Sequence, residues 1–185
     1  MGPEGSPGLV KEAHMETDVN ANSREIPTNI VEIWQHVVNS ISELLSLPSV
    51  MINRLDPPEL EVFRSNLGPD NPLPSGTRMD LAGVYCEMAA RKRQQVKVVD
   101  AREDPDWRDS PTAKAGVYAY LGFPLEWPDG EVFGTLCAVD MKANTWGEKY
   151  ETMLRTCKDT IEMHLALVMA LETLDKKNKE LEQAL

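Results

Sequence analysis

The segment PLEWPDGEVFGTLCAVD, residues 124–140, constrains the fold more than any other part of the chain. Pro128-Asp129-Gly130 is turn chemistry: proline presets one φ, aspartate bonds back to its own backbone, and glycine accepts a positive φ. Apolar arms flank it, so Val117 to Asp140 reads as a β-hairpin. In the second arm Val132, Gly134, Leu136 and Ala138 alternate onto one face, and Phe133, Thr135, Cys137 and Val139 onto the other. Both faces are mostly apolar, which predicts a central strand covered on both sides. Gly134 weakens a strand and marks close approach by another backbone, a bulge or a ligand.

The remaining pattern surrounds this hairpin with helices and short strands. Ile30, Ile33, Trp34, Val37, Ile41, Leu44 and Leu45 recur at helical spacing until Pro48. Val50–Leu55 and Leu60–Ser65 read as strands about the turn Asp56-Pro57-Pro58, and residues 66–78 as a loop. Asp80 is placed to cap a second helix running to about Arg93, with Leu81, Val84, Tyr85 and Met88 as its buried stripe. Gln95–Val99 is a short β-branched strand, followed by an acidic loop. Glu148 to Leu185 contains neither proline nor glycine and reads as one long helix. This order predicts an α+β fold: a mainly antiparallel sheet with helices as its cover.

The 185 residues suit one domain with appendages. A formal charge of −11 argues against a nucleic-acid footprint, which needs clustered cations to neutralise phosphate, and it disfavours anionic lipid. Apolar runs fall short of the roughly 20 residues that span a bilayer. The N-terminus lacks the basic start and apolar core of a secretory signal, so a cytoplasmic protein is expected. Residues 1–25 are too poor in large apolar groups to offset their ordering entropy and read as a disordered leader or linker.

Candidate chemistry is sparse. Cys86, Cys137 and Cys157 have no CxxC spacing, so neither a disulfide framework nor a zinc site is suggested. No histidine occurs in residues 37–163, which leaves Cys137 without the base a catalytic thiol needs. It reads as a small buried apolar residue; Cys86 reads first as packing at the edge of its helix stripe, with a reactive or ligand-attaching thiol as the alternative. Asp100, Glu103, Asp104, Asp106 and Asp109 gather acids without calcium-loop spacing; turn and capping chemistry accounts for them, and no metal is expected. Trp107, Tyr118, Tyr120 and Phe123 bring rings toward the sheet, either as core or as a platform for a flat ligand.

The last helix carries a different signal. Leu167, Leu171, Leu174, Asn178, Leu181 and Leu185 repeat in steps of four and three, a heptad seam with one polar residue. A lone asparagine at such a position fixes register in parallel two-stranded coiled coils, so a homodimer through residues 167–185 is expected. The seam runs to the last residue, which leads us to expect a piece of a longer signalling protein.

Taken together, Tyr85-Cys86-Glu87, Val98 to Ala101, Asp104 to Trp107, Tyr120 to Leu125, Asp129-Gly130 and Gly134 to Asp140 resemble bacterial GAF domains. The nearest subgroup is the one that serves as sensory input to histidine kinases and diguanylate cyclases. The resemblance covers roughly residues 26–170 and places the domain at 26–166. It implies five or six antiparallel strands, with terminal helices on one face and a small-molecule pocket on the other, capped by residues 104–120. Tyr85, Cys86, Asp100, Trp107, Tyr118, Tyr120, Phe123 and Cys137 are its pocket candidates.

It further implies a non-catalytic sensor that relays its state to an output domain absent from this chain. A thiol-dependent enzyme like the free methionine sulfoxide reductases and a ligand-free dimerisation domain are the alternatives. The cofactor is left open. Covalent bilin is not expected, because Glu87 rather than histidine follows Cys86; haem is not expected, because no axial histidine is available between residues 37 and 163. The signature of cyclic-nucleotide-binding members is missing, and Asn53-Arg54-Leu55-Asp56 does not replace it. The cysteine arrangement of the reductases is not reproduced either.

Overall fold

In the computed structural model, which describes residues 24–185, α1 spans Thr28–Leu45 and buries Ile30, Trp34, Val38, Ile41 and Leu45. Val38 takes the place expected for Val37, while Ile33 and Leu44 face outward. The helix stops at Ser46, whose left-handed φ of 53° lets its own and the following N–H close back onto Glu43 and Ser42. The expected leader lies almost wholly outside the described residues.

Six strands follow in an antiparallel sheet. They are β1 (Ser49–Asp56), β2 (Glu59–Ser65), β3 (Arg78–Asp80), β4 (Val96–Val98), β5 (Ala119–Glu126) and β6 (Val132–Asp140), in spatial order β3-β2-β1-β6-β5-β4. The expected hairpin is β5–β6. Its turn closes through Gly130 N–H to Trp127 O at 2.9 Å, with Gly130 at φ 90°. β6 is central as predicted. Gly134 is required by close approach: a Cβ there would stand 1.7 Å from the Asn53 carbonyl oxygen. Edge strand β3 begins at Arg78, the last residue of the segment read as a loop, and runs on through Met79 to Asp80.

Three helices complete the chain: α2 (Tyr85–Lys92), the short α3 (Pro111–Lys114) and α4 (Glu148–Ala184). The capping role expected of Asp80 is not found. Asp80 ends β3, pairing with Glu59, and α2 starts five residues later with Val84 as its N-cap. The intervening Gly83 adopts φ 79°, a conformation that breaks a helix begun at Asp80. α3 was also not anticipated; Pro111 at its first position and the Ser110 hydroxyl, which accepts from Ala113 N–H at 3.1 Å, define it.

The sheet separates two cores. On one side α1 and α4 cover Val50, Ile52, Leu121, Phe123, Leu125, Leu136 and Ala138, with Trp34, Trp127 and Trp146 among them. On the other, α2 and the segment from Ala101 to Val117 cover Met51, Leu55, Leu60, Val62, Tyr120, Cys137 and Val139.

Two β-bulges interrupt strand alternation, the one in β6 against the alternation expected from the sequence. Between Leu125↔Gly134 and Glu126↔Val132, β6 holds one extra residue, Phe133. Between Ile52↔Arg64 and Asn53↔Val62, β2 holds Phe63. Phe133 therefore leaves the Cys137 face, where simple alternation puts it, and joins the helix side. There the Trp34, Phe63 and Phe133 rings meet edge to face with centroids 5.7–6.1 Å apart.

Candidate functional site

Beneath α2, the sheet presents polar atoms in an otherwise apolar layer. Asn53 of β1 pairs with Thr135 of β6, and Met51, two residues earlier, pairs with Cys137. Strand alternation thus points Asn53, Thr135 and Cys137 to the same face. The Asn53 Nδ2 donates to Thr135 Oγ1 at 3.2 Å and reaches both the Cys86 and Cys137 sulfurs at 3.3 Å. Cys86 comes down from the first turn of α2, and Tyr120 O–H donates to its sulfur at 3.5 Å. Asn53, Thr135 and Cys137 are completely buried, and Cys86 is 6% exposed. Asn53 Oδ1 has no hydrogen-bond partner among the described residues.

An aromatic stack lies beside this cluster. Tyr85 and Tyr120 have ring centroids 5.0 Å apart, and Trp107 meets Tyr85 edge-on at 4.8 Å. Tyr85 O–H donates to the Val117 carbonyl at 3.0 Å, tying α2 to the segment that enters β5. Tyr120 bends back across the sheet over Gly122; a Cβ on Gly122 would lie 2.0 Å from the tyrosine oxygen. The rings occupy the ground between α2 and the strands. Outside them, an open groove of about 720 Å³ is lined by Met88, Lys92, Gln95, Lys97, Trp107 and Pro111, among others.

The electrostatics divide the two thiols. The Cys86 pKa is lowered to about 7, chiefly by the Cys137 thiol and then by Thr135, Tyr120 and Asn53, against the opposing effect of burial. The first turn of α2 adds the positive end of its helix dipole. Burial pushes Cys137 well above the usual thiol range, and negative charge on Cys86 pushes it the same way. Burial raises the Tyr120 phenol strongly and the Tyr85 phenol in the same direction.

Of the residues singled out from sequence, Tyr85, Cys86, Trp107, Tyr120 and Cys137 come together on this face. Phe123 does not. It belongs to the core under α4, with the Arg155 guanidinium 5.4 Å from its ring, because odd-numbered residues of β5 face the helices. Tyr118 lies just before β5 and stacks under Arg102 at 4.4 Å. Asp100 is engaged by the same Arg102 at 2.7 Å, whose hydrogen bonds hold its carboxyl below the usual range. These two form a surface cluster at the edge of the site. The acids of the loop satisfy local turns, such as Asp106 N–H onto Asp104 Oδ1 at 3.0 Å. Among the described residues, no three His, Cys, Asp or Glu side chains are grouped to hold a metal ion.

Sequence reasoning missed Asn53 and Thr135 as site members. The signal was present: each is a polar residue inside an apolar strand, and a fully buried polar side chain needs partners.

The six-stranded antiparallel sheet, with terminal helices on one face and a short helix and covering loop on the other, defines a GAF-like α+β fold. The GAF domain family model matches residues 29–165, and the chain belongs to that family. Over 81 residues it is 32% identical to the diguanylate cyclase DgcP of Escherichia coli strain K12. That match takes in 43% of this chain and 24% of the cyclase, so the chain spans about a quarter of that protein's length. Solved structures share the fold. The GAF domain of PixJ from Thermosynechococcus elongatus superposes with a TM-score of 0.63 at 16% identity, covering 84% of this chain and 94% of that one. Free methionine-R-sulfoxide reductase from Neisseria meningitidis gives 0.62 at 20% identity, covering 78% and 83%. The GAF domain of an Acinetobacter phosphoenolpyruvate-protein phosphotransferase gives 0.59 at 16%, covering 78% and 86%.

Proposed function

We propose that this GAF domain is a non-catalytic regulatory module whose state is relayed through α4 as a parallel dimer to an output domain such as a diguanylate cyclase. The observation that carries the reading is how α4 changes character along its length. Leu154, Ile161, Leu165 and Val168 are buried against the domain. Beyond Val168 the helix continues without a break, and Leu171, Leu174 and Leu181 are 49–65% exposed on the seam begun by Leu167. An amphipathic stretch this short is marginal alone, so its apolar stripe calls for a second helix. The 32% identity to a stretch of a diguanylate cyclase supports the signalling context.

The input enters on the α2 side, where a small ligand or partner that favours one packing of the sheet would shift α4 between arrangements. The ligand-free alternative has its own support in the way Tyr120 folds over Gly122 and occupies the space beneath α2. Native mass spectrometry of protein taken from cells separates the two: a co-purified small molecule supports sensing, and its consistent lack supports a dimerisation role.

Sedimentation of the full chain tests the relay. A dimer is expected for the natural sequence, and Asn178→Leu is expected to tighten association and allow higher-order states. A monomer at all concentrations, before and after the change, would remove the relay.

A further inference from the structure

We propose that Cys86 and Cys137 form a buried dithiol that closes to a disulfide on reaction with a hydroperoxide, making this face of the sheet an oxidation site. Two thiols from separate elements, the first turn of α2 and the centre of β6, both lie 3.3 Å from one amide nitrogen, Asn53 Nδ2. Neither is in a disulfide. Such convergence is what a cross-link requires, since bridging distant cysteines would demand backbone movement.

The surroundings assign different roles to the two sulfurs. Cys86 accepts from Asn53 and Tyr120 and stands at a helix N-terminus, so its thiolate is the stabilised one. Cys86 is itself only 6% exposed, so a peroxide would reach it past the turn before α2, where Ala82 and Gly83 are exposed. Cys137 is sealed in and retains its proton, as burial dictates. Asn53 adds an independent sign that the cluster is unfinished, because its fully buried Oδ1 lacks a partner among the described residues. A sulfenic acid on Cys86 would supply an O–H donor in that neighbourhood.

The chemistry balances. The Cys86 thiolate attacks one peroxide oxygen; the O–O bond breaks, the sulfur becomes a sulfenic acid, and water (or an alcohol, from an organic hydroperoxide) leaves with one proton. The Cys137 sulfur then attacks Cys86. The S–S bond forms, the S–O bond breaks, and the Cys137 proton departs with the hydroxyl as water. Two thiols thus give up two electrons to one peroxide. The step is independent of α4 pairing and stands even if the chain is monomeric.

The test is a thiol count on the full chain. Native protein is treated with hydrogen peroxide, then denatured and alkylated. Three free thiols before treatment, matching the three cysteines of the chain, should fall to one, with a peptide pair linking Cys86 to Cys137 and Cys157 free. Cys157→Ser should lose both of its remaining thiols in the same way. In Cys137→Ser, Cys86 should stop at a sulfenic acid that a dimedone reagent traps, whereas Cys86→Ser should oxidise at least tenfold more slowly. Three surviving thiols, over-oxidation of Cys86 without a cross-link, or an intermolecular bond through Cys157 would each overturn the proposal. So would oxidation of Cys137 at an unchanged rate in Cys86→Ser. The cross-link is read on the natural sequence, so it stands even if a serine variant fails to fold.

Discussion

The two faces of the sheet are built from different materials. Against α1 and α4 the core is large and almost wholly carbon: three tryptophans, two phenylalanines delivered by bulges, and aliphatic residues between them. Beneath α2 it contains small or polar groups: two thiols, an amide, a threonine hydroxyl and two tyrosines. An apolar core draws on non-directional burial and tolerates little change in volume. A polar one depends on matched donors and acceptors, and every member raises the cost of losing another. The helix side is therefore the mechanical foundation, and the α2 side holds the buried polar cluster with its two converging thiols.

The sharpest way to break this contrast is Trp34→Ala. Trp34 is fully buried, and its removal should cost about 3–5 kcal/mol in denaturant unfolding. Gly122→Ala should cost less, about 1–3 kcal/mol, because the clash falls on the end of the Tyr120 side chain rather than on backbone. A larger loss from Gly122→Ala than from Trp34→Ala would reverse the assignment of the two faces.

A smaller effect belongs to pH. Trp34 Nε1–H donates to His164 Nδ1 at 3.0 Å, which requires that nitrogen to be unprotonated, and burial holds the His164 pKa below its usual value. The unfolded chain binds a proton near pH 6.5 and the folded one only at lower pH. The unfolded state thus carries more protons in that window, and stability should fall as pH drops below about 6.5. Thermal melts across that range should show the loss, and His164→Gln should flatten it.

The smallest expected change is at Arg24. Its guanidinium lies 4.9 Å from the Trp127 ring centroid and bridges Glu172 at 3.1 Å and Asp129 at 3.9 Å, joining the incoming chain, the hairpin turn and α4. Such pairs are partly solvated, so Arg24→Ala should cost up to about 1 kcal/mol, diminished by salt in chemical denaturation.

Much of this architecture was legible because it depends on periodicity. The α1 stripe, the β5–β6 hairpin with its Pro-Asp-Gly turn, and the unbroken run of α4 each carry their own repeat. Three features were not legible for a common reason. Asp80 resembles a helix cap in sequence, yet pairing with Glu59 draws it into a strand. Phe123 shares its strand with Tyr120 but sits an odd number of residues away, so it faces the opposite core. The Asn53 cluster depends on which residues of three elements meet, and no local pattern encodes that meeting. Local rules describe segments, whereas the site is made by pairing between them.

The bulge at Phe133 shows how finely that pairing is set. A strand sorts its residues by parity, even to one side and odd to the other, and one surplus residue changes the parity of everything before it. Without the surplus at Phe133, the Thr135 and Cys137 positions could hold their face only if the ring turned toward the thiols, and Trp34 would lose a neighbour at 5.7 Å. One added position thus lets a single strand supply an aromatic ring to one core and a sulfur to the other.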